Sequence, residues 1–184
     1  MEKLGESFKS NKEFVVDFIM DYYGVSLQDT NILPISEYPN VSAKSQKIDV
    51  SKLQIAVSKL IMKVLENIHG AGLAGHNTVF YSQSILGFTL SDVNMLQLCA
   101  HEFGHILTER IIGEEWPEKI TYELSDGFAE YVAYQVLKSK FGEKFKWYGD
   151  KKNLNLFKKI LSERGIIDGE GIINFMKEST DKNK

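Results

Sequence analysis

Residues 91–113 have the sequence SDVNMLQLCAHEFGHILTERIIG, and this stretch predicts a long helix with one buried face. Its apolar residues recur at spacings of three and four, the period of an α-helix. They are Val93, Leu96, Ala100, Phe103, Leu107 and Ile111. Ser91 can cap the start of this helix through its side-chain oxygen, and Gly113 can end it.

Within that helix, the run His101-Glu102-Phe103-Gly104-His105 places two imidazoles four residues apart. Residues at i and i+4 lie one above the other on a helix, so both imidazoles can bind one metal ion. Glu102 lies beside the first imidazole and can take the proton of a water that zinc has acidified. This is the HExxH pattern of zinc hydrolases. It predicts Zn²⁺ as cofactor, His101 and His105 as ligands and Glu102 as the catalytic base.

A third zinc ligand is expected from the segment 123–134, ELSDGFAEYVAY. Catalytic zinc sites use three protein ligands, and the third is often a carboxylate. Read as a helix, the segment is apolar nearly all round, yet Glu123, Asp126 and Glu130 lie on one stripe. Buried carboxylates are costly without a cation or strong donors nearby. We therefore expect this stripe to face the two histidines.

The two motifs together resemble the gluzincin clan of zinc metallopeptidases, over about residues 77–137. The second motif reads Asn-Glu-Gly-Phe-Ala-x-Tyr in the aminopeptidase branch and Glu-x-x-x-Asp in the thermolysin branch. This chain has Ser-Asp-Gly-Phe-Ala-Glu-Tyr at 125–131. The resemblance implies that Asp126 is the third ligand. It also implies that Glu130 accepts the outer N–H of a ligand histidine.

The chain departs from the family at position 126, where the family has Glu and this sequence has Asp. Asp is one methylene shorter, so the second helix must approach roughly 1 Å closer to reach a zinc ion. Gly127 is expected to allow that approach. The alternative assignment makes Glu130 the ligand and Asp126 the outer acid, and Glu123 is a further alternative.

The resemblance also implies an oxyanion-stabilising residue and a substrate-binding edge strand. No motif identifies the first, and Tyr134 and Tyr148 are the candidates. The expected strand is Thr78, Val79, Phe80 and Tyr81, with which an extended peptide would pair through its backbone. The alternative is an ordinary inner strand. Backbone pairing favours a peptide or protein substrate over a small ester.

Other helices are predicted from helical spacing and capping residues at 11–24, 51–69 and about 153–178. Ser10 with Glu13 forms a capping box for the first of them, and Asn153 and Asp168 are expected to cap two C-terminal helices. The glycine-rich segment 69–76 is interpreted as a flexible turn whose histidines, His69 and His76, are not ligands.

Composition and helical spacing predict one α+β domain over residues 1–184, mainly helical with a small sheet. The resemblance implies that the edge strand of this sheet precedes the HExxH helix. The chain is 43% hydrophobic, which is enough for a sizeable core. The net charge of −3 argues against a basic nucleic-acid-binding surface, so nucleic acid is not an expected partner.

No signal peptide or membrane span is visible in the sequence, which predicts a soluble, cytoplasmic protein. The lone Cys99 is expected to be a buried thiol, and the oligomeric state stays open.

These observations predict a zinc-dependent peptidase with Glu102 as general base. A nearby alternative is a regulatory cytosolic metalloprotease resembling the ImmA/IrrE group. An alternative from another class is a zinc-binding interaction module without turnover, because Asp126 could indicate a relaxed site. Glu102 argues against such a module, since a structural zinc needs no base and usually has four protein ligands.

Overall fold

The computed structural model describes residues 2–34, 72–75, 77–81, 91–113 and 116–180. These residues form helices and one small sheet, so the prediction of a mainly helical α+β fold is confirmed. The helices are α1 (Glu2–Tyr23), α2 (Asp92–Ile112), α3 (Trp116–Lys119), α4 (Tyr122–Phe141), α5 (Lys151–Glu163) and α6 (Gly169–Glu178). The strands are β1 (Asn31–Pro34), β2 (Gly72–Gly75) and β3 (Thr78–Tyr81).

The strand that precedes the HExxH helix is not at the edge of the described sheet. The strand order is β1-β3-β2, with β3 parallel to β1 and antiparallel to β2. The prediction of Thr78–Tyr81 as an edge strand is therefore wrong for the described strands, and the inner-strand alternative is correct. Because β3 pairs with a neighbour on each side, its backbone is not available to a substrate.

The glycine-rich segment before β3 contributes a strand where the sequence predicts a flexible turn. Gly72–Gly75 pairs antiparallel with β3, and Gly75 lies opposite Thr78. The intervening connection contains Asn77 at φ 53°, a left-handed conformation that Asn tolerates better than most residues. Segment 72–75 thus pairs with β3 in spite of the low strand preference of glycine.

Helix α2 has the predicted boundaries and lies at the centre of the fold. The Ser91 side chain accepts a hydrogen bond from the Asn94 backbone N–H, and the Gly113 N–H donates to the Glu109 carbonyl. The helix packs against α1, α4, α6, β2 and β3. Its side chains Leu96, Phe103 and Leu107 are fully buried in the hydrophobic core. No described helix combines the length and apolar character that a membrane crossing requires.

Two predicted caps differ from those in the structure, while a third is confirmed. Helix α1 begins at Glu2, so Ser10 lies inside it and not at its start. Ser and Glu are tolerated within helices, which is why a capping-box pattern can occur there. Asp150, not Asn153, caps α5, and Asp168 caps α6 as predicted. The helix predicted at 51–69 lies outside the described residues.

Candidate metal centre

The two histidines of α2 direct the same ring nitrogen toward one point. His101 Nε2 and His105 Nε2 are 3.2 Å apart. This spacing arises within one helix, because residues four apart stack along its axis. The two side chains remain 20% and 16% exposed, so their ring nitrogens can be reached by an ion.

Asp126 brings a carboxylate oxygen to the same point from α4. Its Oδ1 lies 3.7 Å from His101 Nε2 and 4.0 Å from His105 Nε2. Thr121 caps α4 through a hydrogen bond from the Leu124 N–H, and this start places Asp126 in the second turn. His101, His105 and Asp126 form the described group of side chains that could hold a metal ion.

The three ligand atoms have the spacing that a zinc ion needs. The point that is equidistant from the two Nε2 atoms and Asp126 Oδ1 and lies in their plane is about 2.1 Å from each. Zinc takes nitrogen ligands at ~2.0–2.1 Å and carboxylate oxygens at ~2.0–2.2 Å. Two imidazoles and one carboxylate are also a ligand set of catalytic zinc, which leaves a fourth position open. The residues therefore fit the ion.

A glycine on α2, not the predicted one on α4, allows the close approach of these two helices. A Cβ built on Gly104 would lie 2.6 Å from Ala129 Cα and 3.0 Å from Ala129 Cβ, so the two backbones nearly touch. Gly127 instead faces α5, where a Cβ would lie 2.9 Å from the Asn153 carbonyl oxygen. The expectation for Gly127 is thus wrong, and Gly104 provides the contact that brings the short Asp126 side chain near the histidines.

Asn153 orients the Asp126 carboxylate. Its Nδ2 donates a 2.7 Å hydrogen bond to Asp126 Oδ2, and both residues are buried. With Oδ2 held in this way, Oδ1 is the oxygen that faces the histidines. The sequence suggested only a capping role for Asn153, because nothing in a single sequence brings α5 next to α4.

Glu130 lies beside the outer nitrogen of the first histidine. Its Oε1 is 3.5 Å from His101 Nδ1 and accepts a 2.9 Å hydrogen bond from the Asp150 backbone N–H. A Cβ on Gly149 would collide with Glu130 Oε2 and would lie 2.6 Å from Gln97 Nε2. The backbone at 149–150 therefore packs directly on the Glu130 carboxylate. The distance from His101 Nδ1 suits an acid that orients an imidazole.

The outer nitrogen and the ring face of His105 contact neutral groups instead. Ser125 Oγ lies 3.4 Å from His105 Nδ1. The Trp116 ring stacks on the imidazole at 6.0 Å between centroids, with an angle of 13° between the planes. Ser125 is fully buried, and Trp116 packs partly buried against the hydrophobic core.

Burial keeps both histidines neutral. It lowers the pKa of His101 to about 4. Burial also lowers the pKa of His105 to about 3; the neighbouring His101 adds to this shift, and the Asp126 carboxylate opposes it. Neutral imidazole is the form that binds a metal, so both side chains are available as ligands at pH 7.

Glu102 is buried near the Asp126 and Glu130 carboxylates. Burial, followed by the charges of Asp126 and Glu130, raises the pKa of Glu102 to about 8. Burial likewise raises the pKa of Glu130 to about 7, although the Asp150 N–H opposes this shift. A divalent cation between the histidines and Asp126 would favour the ionised form of both glutamates.

The other residues that the sequence analysis named, as an alternative ligand or as oxyanion stabilisers, lie outside the candidate metal centre. Glu123 is exposed and lines a surface groove together with Leu156 and Arg164. The Tyr134 hydroxyl donates to Glu143, 3.5 Å away, and its ring lies under the Lys158 ammonium group. Tyr148 is 55% exposed, and its backbone N–H donates to Gln97 Oε1.

A tyrosine that the sequence did not single out does reach the centre. The Tyr122 hydroxyl donates to Asp126 Oδ1 over 3.4 Å, and this side chain is 70% exposed. The Asp126 charge is the largest cause of an upward shift in the Tyr122 pKa, so its hydroxyl keeps its proton. Its spacing of four before Asp126 was the available signal.

Two remaining predictions concern cysteine and histidine. Cys99 is buried and reduced, and burial raises the pKa of its thiol, as expected for an inert core residue. His69 and His76 lie outside the described residues. In comparisons with known proteins, no family model matches the chain, and neither a curated protein nor a solved structure matches it.

Proposed function

We propose that this protein is a zinc-dependent peptidase that uses Glu102 as its general base. The observation that carries the proposal is the convergence of His101 Nε2, His105 Nε2 and Asp126 Oδ1 on one point at zinc-ligand distance. A buried glutamate next in sequence to the first ligand supplies a proton acceptor. A merely structural zinc has no use for either an open coordination position or a base.

The likeness of the two motifs to gluzincin peptidases supports the same reading. Asp in place of the family's Glu at position 126 is compatible with it, because Gly104 and Ala129 bring the two helices into backbone contact. The Glu130 carboxylate lies 3.5 Å from His101 Nδ1, where an orienting acid is expected.

When bound, the zinc ion would polarise the scissile carbonyl and acidify a water molecule. Glu102 would accept a proton from that water and deliver it to the leaving amine nitrogen as the C–N bond breaks. Glu130 and Ser125 would hold the two imidazoles in the orientation that presents Nε2. Asn153 would hold Asp126 so that Oδ1 stays directed at the histidines.

Recognition of an extended peptide through its backbone needs a free strand edge, and β3 does not provide one. Among the described strands, β2 is at an edge of the sheet and packs against α2. We therefore assign the substrate edge to Gly72–Gly75. Glycines leave room for a second backbone and its side chains to approach closely, which favours an extended peptide as substrate.

The test is metal analysis of the purified protein combined with digestion of a peptide library. We expect about one zinc per chain and cleavage that a chelator abolishes and zinc restores. Glu102→Gln should keep the zinc and lose activity by about 10²–10⁴, because it removes a proton acceptor and no ligand. Stoichiometric zinc with no cleavage by the wild-type protein would instead favour a binding module.

A further inference from the structure

We propose that Tyr122 donates a hydrogen bond to the substrate oxygen that gains negative charge during hydrolysis; this proposal rests on the peptidase function. Tyr122 is the first residue of α4 and is 70% exposed. Its hydroxyl lies 3.4 Å from Asp126 Oδ1, the oxygen that faces both histidines. An exposed side chain whose polar end reaches a buried ligand lies at the entrance of the site.

The distances put this hydroxyl within reach of the reacting oxygen. Asp126 Oδ1 is about 2.1 Å from the point equidistant from the three ligand atoms, so the Tyr122 hydroxyl lies at most about 5.5 Å from that point. An oxygen bound there at ~2.1 Å and accepting a hydrogen bond of ~2.7 Å spans up to about 4.8 Å. The two upper limits differ by about 0.7 Å.

The hydrogen bond between Tyr122 and Asp126 is dispensable for holding the carboxylate. Asp126 keeps its buried 2.7 Å hydrogen bond from Asn153 when the tyrosine turns away. The Tyr122 ring is mostly solvent-exposed, so rotation disrupts little packing. The hydroxyl can therefore exchange its partner from Asp126 to the substrate without loss of the ligand geometry.

The tyrosines named from the sequence lack such a position. The Tyr134 hydroxyl lies 3.5 Å from Glu143, and the Lys158 ammonium group lies 3.2 Å above its ring. Tyr148 approaches the centre through its backbone N–H, which donates to Gln97. Among the described side chains, Tyr122 is the tyrosine whose hydroxyl contacts a residue of the metal centre.

Tyr122 would act only as a hydrogen-bond donor, so the proton balance of hydrolysis is unchanged. The water oxygen bonds to the carbonyl carbon, Glu102 takes one water proton, and the carbonyl oxygen becomes the oxyanion. Tyr122 donates a hydrogen bond to that oxyanion and keeps its own proton. The oxyanion then re-forms the carbonyl, the C–N bond breaks, and the amine receives the proton from Glu102.

The experiment compares Tyr122→Phe with the wild-type protein by three measurements: zinc content, peptide hydrolysis and affinity for a phosphinic peptide that mimics the tetrahedral intermediate. Loss of one oxyanion donor costs about 10²–10³ in kcat. We expect that loss with KM and zinc content unchanged, and at least about tenfold weaker binding of the phosphinic peptide. Tyr134→Phe and Tyr148→Phe are matched controls that lose the same hydroxyl elsewhere and should behave as wild type.

Tyr122→Phe with wild-type kcat and wild-type affinity for the phosphinic peptide would overturn the proposal, as would a larger loss in either control variant. Failure of the peptidase function has a different signature. A wild-type protein that binds zinc but cleaves no peptide contradicts that function, while the affinity of the two proteins for the phosphinic peptide still decides the role of Tyr122. Absence of zinc and of phosphinic-peptide binding contradicts both.

Discussion

The two helices of the candidate metal centre contribute to it in different ways. Helix α2 supplies two imidazoles whose Nε2 atoms are 3.2 Å apart, because residues four apart lie on the same face of a helix. Helix α4 supplies Asp126, whose position depends on how closely α4 packs against α2 and on the hydrogen bond from Asn153. The first half of the site is a property of one helix, whereas the second half is a property of the tertiary structure.

The surroundings of the two histidines differ as well. His101 lies beside the Glu130 carboxylate, which the Asp150 N–H holds in place. His105 lies beside the Ser125 hydroxyl and the Trp116 ring, both neutral. A carboxylate stabilises an N–H donor more strongly than a hydroxyl does. The site thus has a carboxylate beside the outer nitrogen of one imidazole and a hydroxyl beside that of the other.

The largest effect should follow loss of a ligand from α2. His101→Ala or His105→Ala leaves only two protein ligands for the ion, so stoichiometric zinc binding should disappear. Metal analysis after dialysis measures it, and circular dichroism checks that the helices persist. Full zinc occupancy in both variants would show that the ion binds elsewhere.

The next effect separates the two acids of α4. In the proposed assignment, Asp126→Ala removes a ligand, while Glu130→Ala removes an orienting group, a change that typically costs about 10–100-fold in metal affinity or activity. Competition with a chelator should therefore show a larger loss of zinc affinity for Asp126→Ala. The reverse order would make Glu130 the ligand and Asp126 the orienting acid.

A smaller effect should come from separating the helices. Gly104→Ala places a Cβ against the Ala129 backbone, so α4 must move away from α2. Overpacking of this kind costs about 1–3 kcal/mol of stability, and zinc affinity should fall because Asp126 no longer reaches. The double variant Gly104→Ala/Asp126→Glu should recover part of that affinity, since its side chain is one methylene longer. If the double variant binds zinc no more tightly than Gly104→Ala, the loss of zinc affinity in Gly104→Ala is not caused by the shorter reach of Asp126.

The smallest effect concerns pH in the metal-free protein. Glu102 has a folded pKa of about 8, above its usual value, so the stability it contributes is complete below about pH 4.5 and is lost as pH rises through 8. The histidines, with lowered pKa values, act in the opposite direction, but only below their usual pKa of about 6.5. With chelator present, the melting temperature should fall between pH 6.5 and 8. Glu102→Gln should reduce that fall, and a wild-type slope in this variant would exclude Glu102 as its source.

The same contrast explains which features of the molecule can be predicted from its sequence. Spacing and caps predict α2 and the common face of its histidines because these are local properties. Asn153 and Gly104 act through contacts between helices, for which a single sequence carries no signal. The inner position of β3 likewise depends on its pairing with β1, which is distant in the sequence, and with β2, which is adjacent. The periodicity of apolar residues does not specify which strands pair.

The most direct test of the central claim is a crystal structure of the protein with zinc bound. We predict one ion with ligand bonds of about 2.0–2.2 Å to His101 Nε2, His105 Nε2 and Asp126 Oδ1, and a water or other exchangeable group at the remaining position. Glu130 should lie at His101 Nδ1, outside the coordination sphere. An ion coordinated by Glu130, with Asp126 directed away from it, would contradict the account.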